Sequence, residues 1–383
     1  MSITIDIHAL QTIPPSLINR DDMGAPKSAR FGGVQRQRVS SQSWKRAIRN
    51  DFAERFPAEQ MGKRTRLIGE IICKRIFELT EETGNEWEAQ RAIDGVQNLF
   101  SAAKLKLKDG KAAAKNDINV EDDEQLAFPE IGYLLFIGNH QIDRAARKII
   151  EKDGEKFSKK EALAILDTEH SIDIALFGRM VADDAAFNVD ASVQVAHALG
   201  IHESEPEFDY FTAVDDFSAD SEKTGAGMIG TVQMMSSTLY RFATVDVESL
   251  AENLNDKETA INAAAAFVES FVKSLPTGKQ NTFAHNTLPE LVYVTVSKER
   301  SVSLVNAFET PVESTEDGRR FNGAVALAKE AKAIQETYGL VPEAQFVVSL
   351  NPLGEPFSEF ADCVTLPVLH EKVVAAVTEL ISE

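Results

Sequence analysis

The chain has 383 residues, with 40 Lys and Arg against 60 Asp and Glu, and a formal net charge of −20 at pH 7. This length can bury a sizeable core. The acidic balance argues against indiscriminate nucleic-acid binding but permits a local basic groove. No apolar run is long enough to cross a bilayer, and two cysteines do not suit a disulfide framework. We therefore expect a cytoplasmic protein without a membrane partner.

The first fifty residues are basic in this acidic chain, since they hold eight Lys and Arg and three acidic residues. Ile3, Ile5 and Ile7 alternate with polar residues and predict a half-buried strand. Gly32-Gly33 is a turn signal, because glycine adopts positive φ without steric cost. Residues 34–39 alternate again, so we predict a second strand that carries Arg36 and Arg38.

A helix with a basic face is predicted directly after that strand. Ser40 and Ser41 offer capping hydroxyls, apolar residues recur every four positions from Trp44 to Phe56, and Pro57 ends the helix. Free N–H groups, hydroxyls and basic side chains together are what a phosphate backbone needs. An ordinary solvated helix face is the alternative, but a basic island in an acidic chain favours phosphate binding.

Residues 61–170 have a helical, charged pattern, and we interpret them as an inserted subdomain. Helices are predicted over 61–80, 87–106, 126–137, 141–151 and 159–167. The lysines from Lys104 to Lys115 could form another edge that faces phosphates. A solvated face is the favoured interpretation of such a run.

The remainder of the chain returns to strand patterns. Residues 172–176 predict a strand, and the acidic, irregular stretch 181–227 is of a length that is usually functional or disordered. His197 is expected to be a hydrogen-bonded core histidine. Further strands are predicted over 228–247, 291–296 and 344–350, and helices over 256–275, 316–338 and 369–381. Without the inserted blocks, this order is typical of an α+β, ferredoxin-like or RNA-recognition-motif core.

Several motifs resemble the CasC family, the repeated backbone subunits of the type I-E CRISPR-associated Cascade complex in the RAMP superfamily. They are NRDDM at 19–23, FGG at 31–33, and R-x-R-V-SSQS-x-KRA-x-R at 36–49. Segments 173–180, 195–198 and 209–216 match as well, and the order and spacing agree over most of the chain. The block 61–170 matches least.

The resemblance implies a fold built from a palm, fingers and a thumb. The RNA-recognition-motif-like palm would begin with 1–60, continue through a palm or web segment at 171–200, and end with 231–383. A helical insertion at 61–170 would form the fingers, and 201–230 would form a protruding thumb hairpin.

The resemblance also implies a protein that is not an enzyme and needs no cofactor or metal. It would oligomerise along a CRISPR guide RNA, contact other Cascade subunits and present the guide to target DNA in antiviral defence. The expected RNA-binding residues are Arg20, Lys27, Arg38, Ser40, Gln42, Lys45, Arg46, Arg49, Arg179 and Met180. The expected thumb wedge, inserted into the guide–target duplex, is Tyr210, Phe211 and Thr212.

One alternative is a metal-dependent RNA endonuclease. The pairs at 183–184 and 215–216 could bind Mg²⁺ through their aspartates, and related type III backbone subunits cut RNA with an aspartate. Turn and helix-cap chemistry is the favoured interpretation of these residues. The G-x-G-x-x-G match at 225–230 lacks the strand before and the helix after it that a dinucleotide site requires. Gly278-Lys279 lacks the rest of a P-loop, and the histidines show no metal-ligand spacing.

Overall fold

The computed structural model describes residues 2–108, 110, 127–181, 183–213 and 228–382. They form two compact units. The sheet unit consists of the described residues of Met1–Phe52, Val193–Glu248 and Ile261–Glu383, and the helical unit consists of those of Ala53–Ser192 and Ser249–Ala260. Within the described ranges, every helix is too short or too polar to traverse a bilayer.

The described residues contain fourteen strands and eleven α-helices, so the predicted α+β class is confirmed. The strands are β1 (Thr4–Ser16), β2 (Ser28–Phe31), β3 (Val34–Val39), β4 (Gly62–Thr65), β5 (Leu107–Lys108), β6 (Glu130–Ile131), β7 (Leu135–Gly138), β8 (Val193–Val195), β9 (Ala198–Gly200), β10 (Glu207–Ala213), β11 (Met228–Asp246), β12 (Leu291–Ser297), β13 (Ala344–Ser349) and β14 (Asp362–Cys363). The helices are α1 (Ser41–Phe52), α2 (Ile68–Glu82), α3 (Ala89–Ala102), α4 (Asn139–Glu151), α5 (Lys159–Leu166), α6 (Ile172–Phe177), α7 (Val247–Leu254), α8 (Lys257–Lys273), α9 (Gln280–Phe283), α10 (Arg319–Tyr338) and α11 (Leu366–Ser382).

The sheet unit is organised around β1. The strand order is β14-β13-β12-β1-β11-β9-β3-β2, and β8 and β10 also pair with β11. The first strand is antiparallel to both of its neighbours. We predicted a half-buried strand, but Asp6 and His8 are buried as well as Ile5 and Ile7. Both faces are buried because the strand is central and a hydrophobic cluster that includes residues of α10 covers its second face.

Helix α1 packs against the sheet unit through its predicted apolar stripe, with Trp44, Ile48 and Phe52 buried. It ends at Phe52, earlier than predicted. A buried guanidinium lies beneath it: the Arg241 carbon Cζ is 3.7 Å from the centroid of the Trp44 ring and 4.2 Å from that of Phe271. Such cation–π contacts are strong when desolvated, so Arg241 ties α1 to β11 and α8.

The helical unit has a core formed chiefly by α2, α3, α4 and α5, with two small sheets, β4–β7 and β5–β6. Two secondary-structure predictions are wrong here. The described part of 126–137 contains strands β6 and β7 and no helix, and 61–80 begins with strand β4. The antiparallel pairing of β4 with β7 satisfies the backbone groups that face across the pair, and this pairing is not visible in local sequence.

The predicted strand at 172–176 is also wrong, because this segment is helix α6. All five residues are buried, so alternation of polarity does not distinguish the two structures. The Asp173 carboxylate accepts hydrogen bonds from the Ser171 hydroxyl at 2.6 Å and from the Gly62 N–H at 2.9 Å. The Ala175 N–H donates to the Ser171 carbonyl, which closes the first helical turn.

Strand β10 and the start of β11 form an antiparallel pair, Glu207–Ala213 with Met228–Met234, which we call the β10–β11 ribbon. Every residue of β10 is exposed. Strand β11 then continues for its remaining length into the central sheet, beside β1. The ribbon is therefore an extension of a sheet strand.

Candidate nucleic-acid interface

The loop before β2 is tied to β3 and to the start of α1 by hydrogen bonds. The Asn19 side-chain oxygen accepts the Ser40 N–H at 2.9 Å, and the Asn19 carbonyl accepts the Lys27 N–H at 3.0 Å. The Lys27 carbonyl in turn accepts the Arg38 N–H at 2.9 Å. These bonds bring Arg20, Lys27, Arg38 and Ser40 together, although up to twenty residues separate them in sequence.

The start of α1 is capped within the protein. The Ser40 hydroxyl accepts the Ser43 N–H at 3.3 Å, as the sequence predicts, and His197 Nδ1 accepts the Ser41 N–H at 3.0 Å. Two of the N–H groups predicted to be free therefore already have acceptors. His197 is exposed, so its prediction as a core histidine is wrong, although its hydrogen bonding is correct.

The pKa of His197 is affected by the basic groups around it. Because Nδ1 accepts a hydrogen bond, the imidazole is neutral and carries its proton on Nε2. The pKa of His197 lies below its ordinary value, first because of partial burial and then because of the cations Arg38 and Lys27. The neutral ring therefore adds no charge of its own beside Arg38 and Lys27.

The remaining predicted residues follow along α1. Gln42 and Arg46 are exposed, and Lys45 and Arg49 are partly buried. The pKa of Lys45 is below its ordinary value because its ammonium group is partly removed from water. Within the described ranges, Lys45 has no ion pair that would offset this. We use the name basic surface for Arg20, Lys27, Arg38, Ser40, Gln42, Lys45, Arg46 and Arg49, of which Ser40 is buried at the start of α1.

Arg36 lies two residues before Arg38 on the same strand but has a structural role. Its side chain is fully buried, and its guanidinium donates to the carbonyls of Gly200, Phe308 and Glu309 at 3.0–3.1 Å. Its Nε also donates to the Phe31 carbonyl at 3.2 Å, so each of the three guanidinium nitrogens has an acceptor. The alternating sequence pattern alone does not show which of the two arginines faces solvent.

Arg179 and Met180, predicted from the resemblance, belong to the helical unit. Arg179 is buried, donates from Nε to the Phe187 carbonyl at 2.8 Å, and forms an ion pair with Asp167. Through these contacts the Arg179 guanidinium stabilises the fold of the helical unit. Met180 is 82% exposed, so it is the member of the pair that offers an apolar surface to a ligand.

The wedge residues divide between the two faces of the β10–β11 ribbon, because neighbours along a strand point in opposite directions. Tyr210 is 64% exposed and shares its face with Phe208 and Thr212. Phe211 lies opposite Gly230 in the pairing, and a Cβ placed on that glycine would be 2.4 Å from the Phe211 ring. The Phe211 ring therefore packs partly against Gly230 on the paired strand of the ribbon.

The aspartates considered for metal binding have local structural partners. Asp183 accepts the Lys106 N–H at 3.1 Å, and Asp184 accepts the Ala186 N–H at 3.0 Å and pairs with Lys159 at 3.2 Å. No group of three metal-ligating side chains occurs in the part of the chain that the structure describes. The candidates Asp215, Asp216, Lys111, Lys115 and residues 225–227 lie outside the described residues.

Comparison with known proteins gives a match over nearly the whole chain. The family model described as CT1975-like protein matches residues 5–368. A solved chain described as "CRISPR RNA-guided surveillance complex, pre-nicking" is 31% identical, with a TM-score of 0.77, and the match covers 97% of this chain and 100% of that one. Another, described as "CRISPR RNA-guided surveillance complex", is 27% identical with a TM-score of 0.61, over 97% and 99% of the two chains. The comparison with curated proteins gives no match.

Proposed function

Because the chain belongs to the CT1975-like protein family, we propose that it is a backbone subunit of a CRISPR RNA-guided surveillance complex of the type I-E Cascade kind. Several copies bind one guide RNA, contact the other subunits and present the guide for pairing with target DNA. The protein holds the guide through its backbone, while base pairing reads the sequence. It does not cut RNA. The likeness to solved chains of such complexes supports this assignment.

The basic surface is the observation that carries the proposal. Its six cations lie along α1 and in the segments before it, in a chain of net charge −20. Lys45 is partly desolvated, so a phosphate beside it would supply the opposite charge that favours its protonated form. Arginines, lysine ammonium groups, a hydroxyl and an exposed amide are the groups that contact phosphates and sugars without reading sequence.

In this proposal the sheet unit acts as the palm, the helical unit as the fingers and the β10–β11 ribbon as the thumb. Tyr210, Phe211 and Thr212 of the ribbon interrupt the guide–target duplex, and Tyr210 provides the more exposed ring. An aromatic face can offset the base stacking that is lost when a nucleotide is displaced. Met180 provides an apolar contact to the guide from the helical unit.

The test combines Lys45→Glu with Arg49→Glu and measures single-stranded RNA binding by fluorescence anisotropy. We expect stable binding to be lost, because two attractive contacts become repulsive. Alanine replacements at the same positions should lower the log–log salt slope by about 0.7 per contact. The matched control combines Lys329→Glu with Lys372→Glu, which makes the same change in net charge on exposed positions of α10 and α11.

Equal loss of binding in the control would show that overall charge, and not the basic surface, governs affinity. Unchanged affinity in the Lys45 and Arg49 variant would reject the proposed surface outright. Light scattering provides a second readout of the same proposal. The mass of the wild-type complex should grow with RNA length, whereas one fixed stoichiometry at every length would contradict a backbone subunit.

A further inference from the structure

A cavity of about 470 Å³ in the sheet unit lies beside the basic surface. Three cations from separate segments line it: Arg20 from the loop after β1, Arg46 from α1, and Lys279 from the turn after α8. Among the residues that the structure describes, none of those lining this cavity is acidic. An anion bound in this space would offset the mutual repulsion of the three positive groups.

The turn that carries Lys279 is held in place by close backbone packing. A Cβ on Gly278 would lie 2.2 Å from the Ile18 carbonyl oxygen, so only glycine permits this approach. The buried His285 ring donates from Nε2 to the Pro276 carbonyl at 3.1 Å. Lys279 itself has a left-handed backbone, with φ of 54°. The turn is therefore fixed against the end of β1, and Lys279 is positioned at the cavity before any ligand binds.

We infer that Lys279, together with Arg20 and Arg46, forms a pocket that holds one backbone phosphate of the bound RNA. This inference rests on the proposed function and adds a contact from a segment more than two hundred residues beyond the basic island. Arg20 and Arg46 supply planar groups that suit phosphate oxygens, and Lys279 supplies a compact charge. Ser43, Asn50 and Thr277 line the same cavity and offer further hydrogen-bond donors.

In this pocket Gly278 and Lys279 contribute to phosphate binding without forming a P-loop. In a P-loop, a glycine-rich turn wraps the phosphates with backbone N–H groups. Here the glycine instead allows the turn to approach a neighbouring strand end, and the lysine that follows is directed to a space already lined by arginines. The expected ligand is a phosphodiester of a longer strand, since Arg20 and Arg46 also belong to the basic surface.

The experiment measures the affinity of the full chain for labelled single-stranded RNA with Lys279→Gln, and with Lys273→Gln as the control. Lys273 is exposed, lies on the same segment and pairs with Glu269 outside the cavity. We expect Lys279→Gln to weaken binding about tenfold, the order expected for one charge-assisted hydrogen bond, and Lys273→Gln to have no effect. Thermal unfolding of each variant verifies that the fold is retained.

A double variant tests whether the cations share one phosphate. Lys279→Gln combined with Arg46→Gln should lose less affinity than the sum of the two single losses, because contacts to one group are coupled. Strict additivity would overturn the shared pocket. Wild-type affinity in Lys279→Gln, with binding still lost in the Lys45 and Arg49 variant, would overturn this inference and leave the proposed function standing. Retention of binding in both variants would overturn both.

Discussion

Mild acid should destabilise the sheet unit through one buried histidine. His8 lies on the central strand β1, and its ring stacks on Phe242 and Tyr293 at centroid distances of 5.0 and 5.6 Å. Its Nδ1 is 2.9 Å from the Tyr240 hydroxyl, which also accepts the Leu304 N–H at 3.0 Å. The ring is fully buried, and removal from water favours its neutral form.

The magnitude follows from the shift in pKa. Burial lowers the pKa of His8 from 6.5 to about 3. Below pH 6.5 the unfolded chain binds a proton that the folded chain excludes, so stability falls with pH by about 1.4 kcal/mol per unit. The contribution is complete above pH 6.5 and is lost progressively as pH drops towards 3. Between pH 6.5 and 5, His8 alone should cost about 2 kcal/mol.

The assay is urea unfolding followed by Trp44 fluorescence in a Trp87→Phe background, which leaves one tryptophan as a reporter of the sheet unit. His8→Gln removes the titration and keeps an acceptor for Tyr240. We expect its stability to fall by about 2 kcal/mol less than that of the parent between pH 6.5 and 5. His370→Gln, a partly exposed histidine of the same unit, is the control. Parallel pH profiles for the parent and His8→Gln would refute the reasoning.

Two further outcomes test the role of the ribbon and the proposal that the protein does not cut RNA. Gly230→Ala should displace the Phe211 ring, because the added Cβ would lie 2.4 Å from it, and should alter chemical probing of the target strand while guide affinity is retained. An unaltered probing pattern would show that this face of the ribbon does not meet the duplex. Wild type and the Asp183→Ala/Asp184→Ala variant should both leave labelled RNA intact in Mg²⁺. Cleavage by wild type that disappears in the variant would establish a nuclease.

The basic surface could be predicted largely because its parts are close in sequence. Strand β3 and helix α1 follow each other directly, and each has a clear period, so the side chains of Lys45 and Arg49 could be placed off the buried stripe from spacing alone. The Ser40 cap is equally local, since the hydroxyl bonds an N–H three residues on. Each of these features depends on contacts within one or two turns.

The parts that sequence reasoning missed depend on distant segments. Asn19 and His197 accept hydrogen bonds from the start of α1, and Lys279 lines the same cavity as Arg20 and Arg46. Neither periodicity nor spacing in the sequence connects these residues. The only signals were motif membership for Asn19 and His197, and a glycine-lysine pair that fitted no known loop. Arg36 and Arg179 are also beyond what charge patterns reveal, because both guanidinium groups are buried and donate hydrogen bonds to backbone carbonyls.

The central position of β1 has a consequence for synthesis of the chain. Thr4 pairs with Asp246 on one side and Ser297 on the other, so its first partner leaves the ribosome roughly 240 residues later. At roughly 5–20 residues per second, that delay is about 12 to 50 s. During this time a strand rich in isoleucine has no native neighbour, while the long intervening segment of the helical unit can already collapse around its own core. A nascent chain of this protein should therefore engage chaperones through its first twenty residues.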